Sequence, residues 1–593
     1  MLLLSPNIVF ITLVFVLLFT IPGALVLLVC YVRKVEKLMG RDEGGAGGAA
    51  APEGAARVRA LPLWRPARPR PELRLEHVCD STPLRAMRRG APRLWAHARR
   101  ARYSTAAVYT LVALAHLATL WLVLSWVSRL PPDSSVRLVA GVVLLWPAGQ
   151  AFFSHAGGGL GVKASAAALY LLAVWAVARG ERQDAPGDLP ERFALIVFAV
   201  ILVPMAVRAL VMNERLKAAG LTVLVLLTGV AVGIVLTAEL GRRTGIGVPL
   251  MLLAGILVVP ATTAVACLSI WWMVRRHVRR KASDRMAVSA VYWLMLSEWF
   301  TYVMASVYGP WALFALGSFA SLVVAHWAGF KALGLFMRGA PGDVRLLLLR
   351  TFTKRGRVES LLDGPGRGAG AWARRNLLRL WRVLRRDTLI HRLEMRWRFV
   401  GSIQLIAGPD LATAYVDVDE LVDWATGRLG RRFISTDEDL AARTAIDPRP
   451  DPDGRYRVNE FFCGGEMWGR VLVELLGRDA THVVLMDLRG FTAANAGVVH
   501  ELGQLVQHVT LRRVVLAVDH RTDFPLLERK LREFWRGVCE CSPNYREPDP
   551  TLRLLHVGRG GRGAQRLLAL LLRAAEEGAA APAEKTERPA LAV

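Results

Sequence analysis

Two architectures follow one another in this chain: an α-helical polytopic membrane domain, then a C-terminal cytosolic α/β domain built on a doubly wound, mostly parallel sheet. Three observations predict them. Over 593 residues the chain is 53% hydrophobic with a mean hydropathy of +0.33, too apolar for an ordinary soluble protein and long enough for several domains. Nine apolar runs crowd into the part before Pro341, and strand-like and helix-like patterns alternate after it. The formal charge of +27 collects largely in the links and segments beside apolar runs, as expected of loops that face anionic lipid. No aromatic platform accompanies that charge, so no nucleic-acid partner is expected.

The first run, residues 1–32, exceeds the roughly 20 residues that a helix needs to cross the hydrocarbon core. The cations Arg33, Lys34 and Lys37 follow it rather than precede it, which predicts a span with the N-terminus outside and not a cleaved signal peptide. Residues 33–104 carry 17 Lys and Arg against 7 Asp and Glu, rich in Gly, Ala and Pro, with no sustained hydrophobic period. Such a segment buries too little to offset its ordering entropy, so it is expected to be a largely disordered cytoplasmic loop lying on anionic headgroups.

Eight further spans are expected within 105–337: Thr105–Val127, Val136–Phe153, Lys163–Ala178, Phe193–Met212, Leu221–Leu240, Val248–Val274, Met286–Val307 and Trp311–Phe330. Alternation puts the link 275–285, with Arg275, Arg276, Arg279, Arg280 and Lys281, on the same side as 33–104, and the C-terminal domain with it in the cytoplasm of a cell-membrane protein. Ionisable residues within the spans are few. Glu298, His116 and His326 are the intramembrane polar candidates, as a proton or ligand site or as a structural hydrogen-bonded group.

The α/β domain, 341–577, opens with the apolar run Val344–Phe352. Trp372–Phe399 then interleaves arginines with Leu and Trp, the pattern of a basic amphipathic helix on anionic lipid, with an acidic protein partner as the alternative. Strands are expected at Gly401–Ala407, Arg455–Phe462, His482–Leu488, Arg513–Asp519 and Leu552–Val557. Helices alternate with them at Val418–Leu429, Glu466–Leu476, Asn495–His508, Phe524–Cys539 and Gly563–Glu576, and 578–593 is expected to be a disordered tail. Neither a dinucleotide fingerprint nor a Walker A pattern is present; GRGGRG (Gly558–Gly563) follows the last strand. The six cysteines show no metal spacing and are expected to be reduced; no cofactor and no metal is implied.

The stretch His482–Val506 is the best site candidate, because ligands of open α/β sheets bind beyond the carboxyl ends of strands. There Asn495-Ala-Gly497-Val-Val-His-Glu501-Leu-Gly503, after a strand ending in Asp487, resembles the D-x-G-x-x-x-E-x-G segment of nucleoside 2-deoxyribosyltransferases, with Asn495 where those enzymes carry an acid. Ile406–Ala412 (IAGPDLA) resembles their A-G-P loop, and the strand-loop-helix is also similar to that of TIR domains. The resemblance implies a nucleotide ligand such as NAD, cleavage at the N-glycosidic bond, and Glu501 as the catalytic carboxylate. A carboxylate on one face of the sugar can stabilise or trap an oxocarbenium-like state, whereas the bland account has Glu501 pairing locally. Arg350, Asp410, Asp487, Arg489, Asn495 and Gly497 are the ligand-binding candidates, at strand ends and in the loop beyond. The other reading is a non-enzymatic membrane sensor or scaffold, able to form a homo-oligomer, whose α/β domain binds a nucleotide or a protein.

Overall fold

The computed structural model describes residues 19–20, 22–35, 37–38, 71–79, 82–127, 217–245, 247–290, 311–336, 344–350, 388–407, 416, 418–444, 449–463, 465–477, 483–558 and 563–580. Glu298, Asp410, the expected spans at 136–153, 163–178 and 193–212, and residues 372–387 of the expected amphipathic helix lie outside them.

All eight strands among the described residues are parallel. They are β1 (Arg74–Val78), β2 (Leu346–Arg350), β3 (Ile403–Ala407), β4 (Phe433–Ile434), β5 (Val458–Cys463), β6 (Val483–Asp487), β7 (Val514–Val518) and β8 (Thr551–His556), in the spatial order β1-β8-β7-β6-β2-β3-β5-β4. From β2 the chain passes to β3, goes out to the edge strand β4 and comes back to β5 between them, then crosses to lay β6 on the other side of β2 and winds outward through β7 and β8. The sheet is therefore doubly wound and Rossmann-like, with its topological switch point between β2 and β6. Every residue of β6 and β7 is buried, which is why these strands read as continuous apolar runs rather than alternating ones. Gly401 lies where β3 begins because a Cβ there would meet the Val344 carbonyl oxygen at 1.8 Å.

Successive residues point to opposite faces, and each face has its own core. Leu347, Leu349, Val484, Met486, Leu516 and Leu554 pack with α8 (Asp437–Thr444), α9 (Gly465–Leu476), α10 (Ala496–His508) and α11 (Phe524–Arg536). Leu346, Leu348, Ile403, Leu405, Val483 and Leu485 pack with α6 (Thr388–Trp397), α7 (Val418–Ala425) and α12 (Gly563–Ala580). The second core does not stop at those helices. It runs on into Leu28 and Tyr31 of the first apolar run and Leu221 and Leu224 of α3 (Lys217–Thr244), so apolar helices and sheet share one packed interior.

Among the described residues one helix, Pro249–Val278 within α4 (Val248–Val278), is long and apolar enough to cross a membrane, with a hydropathy of 2.2. It packs along α3, and α2 (Pro92–Val127) packs along α5 (Trp311–Phe336). Of the nine spans expected from the sequence, the described residues show this one alone.

Three expectations need correction. Residues 33–104 are not a structureless loop throughout: Arg74–Val78 forms β1 at the sheet edge, Leu84–Arg89 is the short helix α1, and α2 starts at Pro92. The strand forms because it has a partner, Leu75 facing Leu552 and Val78 facing Leu555 in β8, whose outer edge would otherwise stand open. The tail is helical as far as Ala580, since α12 continues past Glu576. Cys539 and Cys541 are joined in a disulfide, the turn through Glu540 bringing their Cα atoms to 5.3 Å, whereas Cys30, Cys79, Cys267 and Cys463 are free.

The described part of Trp372–Phe399 also differs from expectation. In α6 the apolar residues Leu389, Ile390, Leu393 and Trp397 are buried in the protein core and face α12, so over Thr388–Trp397 the apolar face is already occupied by protein and not by lipid.

Candidate functional site at the carboxyl edge of the sheet

β2 and β6 run side by side at the switch point, and Arg350 is the register partner of Asp487. Two of the residues expected to bind a ligand thus come together where a doubly wound sheet opens its crevice. Asp487 is 2% exposed, and its carboxylate accepts from Arg489 in a fork: Nε to Oδ1 at 2.7 Å and Nη2 to Oδ2 at 2.7 Å. The pair is bidentate and charge-assisted, which fixes the first residues of the loop.

Beyond it the chain turns at Gly490, whose φ of +73° suits glycine, and whose N–H donates to Asp519 Oδ1 at 2.9 Å. Asp519 follows β7, and Thr522 Oγ1 donates to the Leu488 carbonyl at 2.9 Å. The loops after β6 and β7 are thereby stitched into one rim. Asn495 spends its side chain on the same loop: Oδ1 accepts from Thr492 N at 2.9 Å and from Thr492 Oγ1 at 3.2 Å. Gly497, in the first turn of α10, is exposed with open space where a Cβ would stand.

Glu501 is placed differently from these. It lies in the second turn of α10 on the side that faces the core, between Val498, Leu502 and Leu505 in the helical period, and is 3% exposed. Its Oε2 has no hydrogen-bond partner among the described residues, and burial pushes its carboxyl up to about 8. At neutral pH it is mostly a neutral acid under the helix. The adjacent His500 is half-buried against Trp468 of α9, ring centroids 5.7 Å apart.

One group at this edge is invisible to sequence reasoning. His77 of β1 and His556 of β8 meet with Nδ1 and Nε2 at 2.9 Å, and Phe524, at the start of α11, stacks on His556 at 5.1 Å and 5°. Burial and the neighbouring His77 both lower the affinity of His556 for a proton. The end of a terminal strand hints at His556; nothing hints at His77, whose strand partner is about 480 positions away. Among the described residues no group of three or more His, Cys, Asp or Glu is arranged to hold a metal ion.

His116 and His326, the two described histidines expected to lie within spans, come from the packed pair α2 and α5. His116 Nδ1 lies 2.7 Å from Ser321 Oγ, and His326 Nδ1 lies 2.9 Å from the Leu322 carbonyl one turn earlier. Both are buried; His116 bonds across to α5 and His326 within α5, where its Nε2 has no hydrogen-bond partner among the described residues.

Searches of family models, of curated proteins and of solved structures return no match to this chain.

Proposed function

We propose that this chain is a multi-pass membrane protein with an outside N-terminus and a cytoplasmic α/β domain, and that this domain is a nucleotide-binding module coupled to the membrane helices rather than a glycosidase. The observation that carries the reading is the junction at residues 449–457. Arg457 grips Asp451 through Nε at 3.0 and 3.1 Å and donates Nη2 to the His277 carbonyl, in the last turn of α4, at 2.5 Å. Arg280 donates to the Arg449 carbonyl at 2.7 Å, Ser283 Oγ donates to Asp453 Oδ2 at 2.9 Å, and Thr105 Oγ1 of α2 donates to the Asp453 carbonyl at 2.9 Å. A cation at a helix C-terminus is favourable, and Asp451 and Asp453 are buried at 2% and 0% exposure, so the contact is a packed one.

Charge and surface support the membrane half. Leu252, Ile256, Leu257, Val265, Leu268, Trp271 and Trp272 are all exposed on α4, an apolar face too long to leave in water. At its end nearest the α/β domain, Arg275 lies over Trp271 at 5.1 Å and Arg276 over Trp272 at 4.8 Å, while Lys331 lies over Trp327 on α5 at 4.4 Å. Aromatic rings with cations beyond them are the pattern of a cytoplasmic interface.

The burial of Glu501 favours binding over cleavage, because a carboxylate that attacks or stabilises a sugar cation must be ionised and must reach it. The nucleotide is assigned to the crevice beyond Arg350 and Asp487. The test uses the full chain in lipid nanodiscs with NAD and nucleosides. Binding that weakens in Arg350→Ala, with no free base released, supports the module; base release that disappears in Glu501→Gln replaces it with the TIR-like or transferase-like enzyme.

A further inference from the structure

The two arginine-rich segments that the sequence assigns to the membrane surface, 33–104 and 372–399, converge in three dimensions. Arg88 of α1, Arg99 and Arg102 of α2 and Arg396 of α6 line one cleft of about 330 Å3, which Gln565 and Leu568 of α12 also line. None of the residues lining it is acidic. Two of its cations are held by aromatic faces that also line the cleft: Arg88 lies 4.5 Å from the centre of the Trp95 ring and Arg99 lies 5.9 Å from that of Tyr103. Burial, and then the neighbouring Arg102, Arg88 and Arg392, disfavour the charge on Arg396. Bringing like charges together in a partly buried cleft costs free energy that an anion in the middle would return.

We propose that this cleft binds a phosphate-bearing polyanion, with Arg88, Arg99, Arg102 and Arg396 as its ligands. Guanidinium forks match phosphate oxygens in pairs, and the volume lies at the small end of the range for ligand pockets, enough for a diphosphate or the doubly charged headgroup of a lipid. Position favours phosphate at headgroup depth: the cleft lies along residues 95–103 of α2, immediately before the apolar run that begins at Thr105. The lipid source rests on the membrane reading above; the phosphate site itself does not. The cleft is also separate from the strand ends that carry Arg350 and Asp487, neither of which lines it.

The experiment titrates inorganic pyrophosphate into the full chain in neutral detergent, and repeats the titration in nanodiscs of phosphatidylcholine with and without cardiolipin. Pyrophosphate is expected to bind and to raise the melting temperature, with affinity at least tenfold weaker in Arg99→Gln/Arg396→Gln. The unliganded double variant is expected to melt no lower than the wild type, because like charges have been removed. If that variant does not fold, Arg99→Gln alone, at an exposed position, is expected to weaken binding several-fold. Competition by cardiolipin against pyrophosphate assigns the site to lipid; undiminished pyrophosphate binding in cardiolipin nanodiscs assigns it to a soluble phosphate compound. Failure of pyrophosphate and cardiolipin alike to bind, or binding indifferent to the substitutions, overturns the proposal. Pyrophosphate binding by a chain that proves not to span the membrane would instead overturn only the membrane reading.

Discussion

Replacing Glu501 by Gln gives a prediction whose sign follows from burial alone. The carboxyl ionises near 4.5 when unburied, and its place under α10 pushes that up to about 8. Between those values the folded state holds a proton that the unfolded chain releases, so stability falls as pH rises through that window. Each unit of difference is worth about 1.4 kcal/mol, so the cost is about 3 kcal/mol at pH 7 and about 5 kcal/mol well above pH 8. Glu501→Gln keeps the shape and removes the titration. Near pH 4.5 variant and wild type are expected to be similarly stable; above pH 8 the variant is expected to be more stable by several kcal/mol. The assay is thermal unfolding of the full chain in detergent at half-unit steps from pH 4.5 to 8.5. Equal pH slopes in the two proteins, or a Gln variant that is the less stable one at high pH, would refute the placement of Glu501 as a buried neutral acid. The latter result is what an ionised, hydrogen-bonded catalytic carboxylate would give.

Asp451→Asn and Arg457→Gln are each expected to cost about 3 to 5 kcal/mol, as when one partner of a buried pair is removed, and the double variant less than their sum; additive effects in unfolding experiments would count against a coupled pair. Cys79, exposed after β1, is expected to react with a membrane-impermeant maleimide only once cells are opened, whereas labelling of intact cells would place the α/β domain outside. Deleting residues 71–79 uncovers the edge of β8 and is expected to lower the melting temperature and promote aggregation, which light scattering during heating would reveal; a deletion as stable and monodisperse as the wild type would show that β1 adds nothing.

Much of the sheet was legible because its signals are local. The apolar runs that became β2, β3, β6, β7 and β8 lie within two residues of their expected bounds, and α9 and α10 within one. Parallel strands buried on both faces need nothing but such runs, and the helices between them announce themselves by period. The misses share a different cause. β1 is five residues of mixed polarity, and its reason to be extended is β8, far away in sequence. The two-residue strand β4 and the helix α8 are too short to carry a period. For the site, sequence position placed Arg350 and Asp487 each at a strand end, and the pairing of β2 with β6, which the sequence does not show, makes those ends neighbours. Sequence position placed Glu501 near the same rim, and only the helical phase of Val498, Leu502 and Leu505 turns that side chain inward.

The shared interior has a consequence for how the two halves work. A fragment beginning near residue 340 would lack β1, and would leave bare the part of the sheet-side core completed by Leu28, Tyr31, Leu221 and Leu224. It would also lose the carbonyl of His277 and the hydroxyls of Thr105 and Ser283 that satisfy the 449–457 segment. Buried polar groups stripped of partners cost about 1 to 3 kcal/mol each, so the α/β domain depends on the apolar helices for its own stability. A domain held this way does not swing on a linker. A ligand in the crevice or in the arginine cleft can act on the helices only by biasing packed contacts such as that of Arg457 with the His277 carbonyl in the last turn of α4.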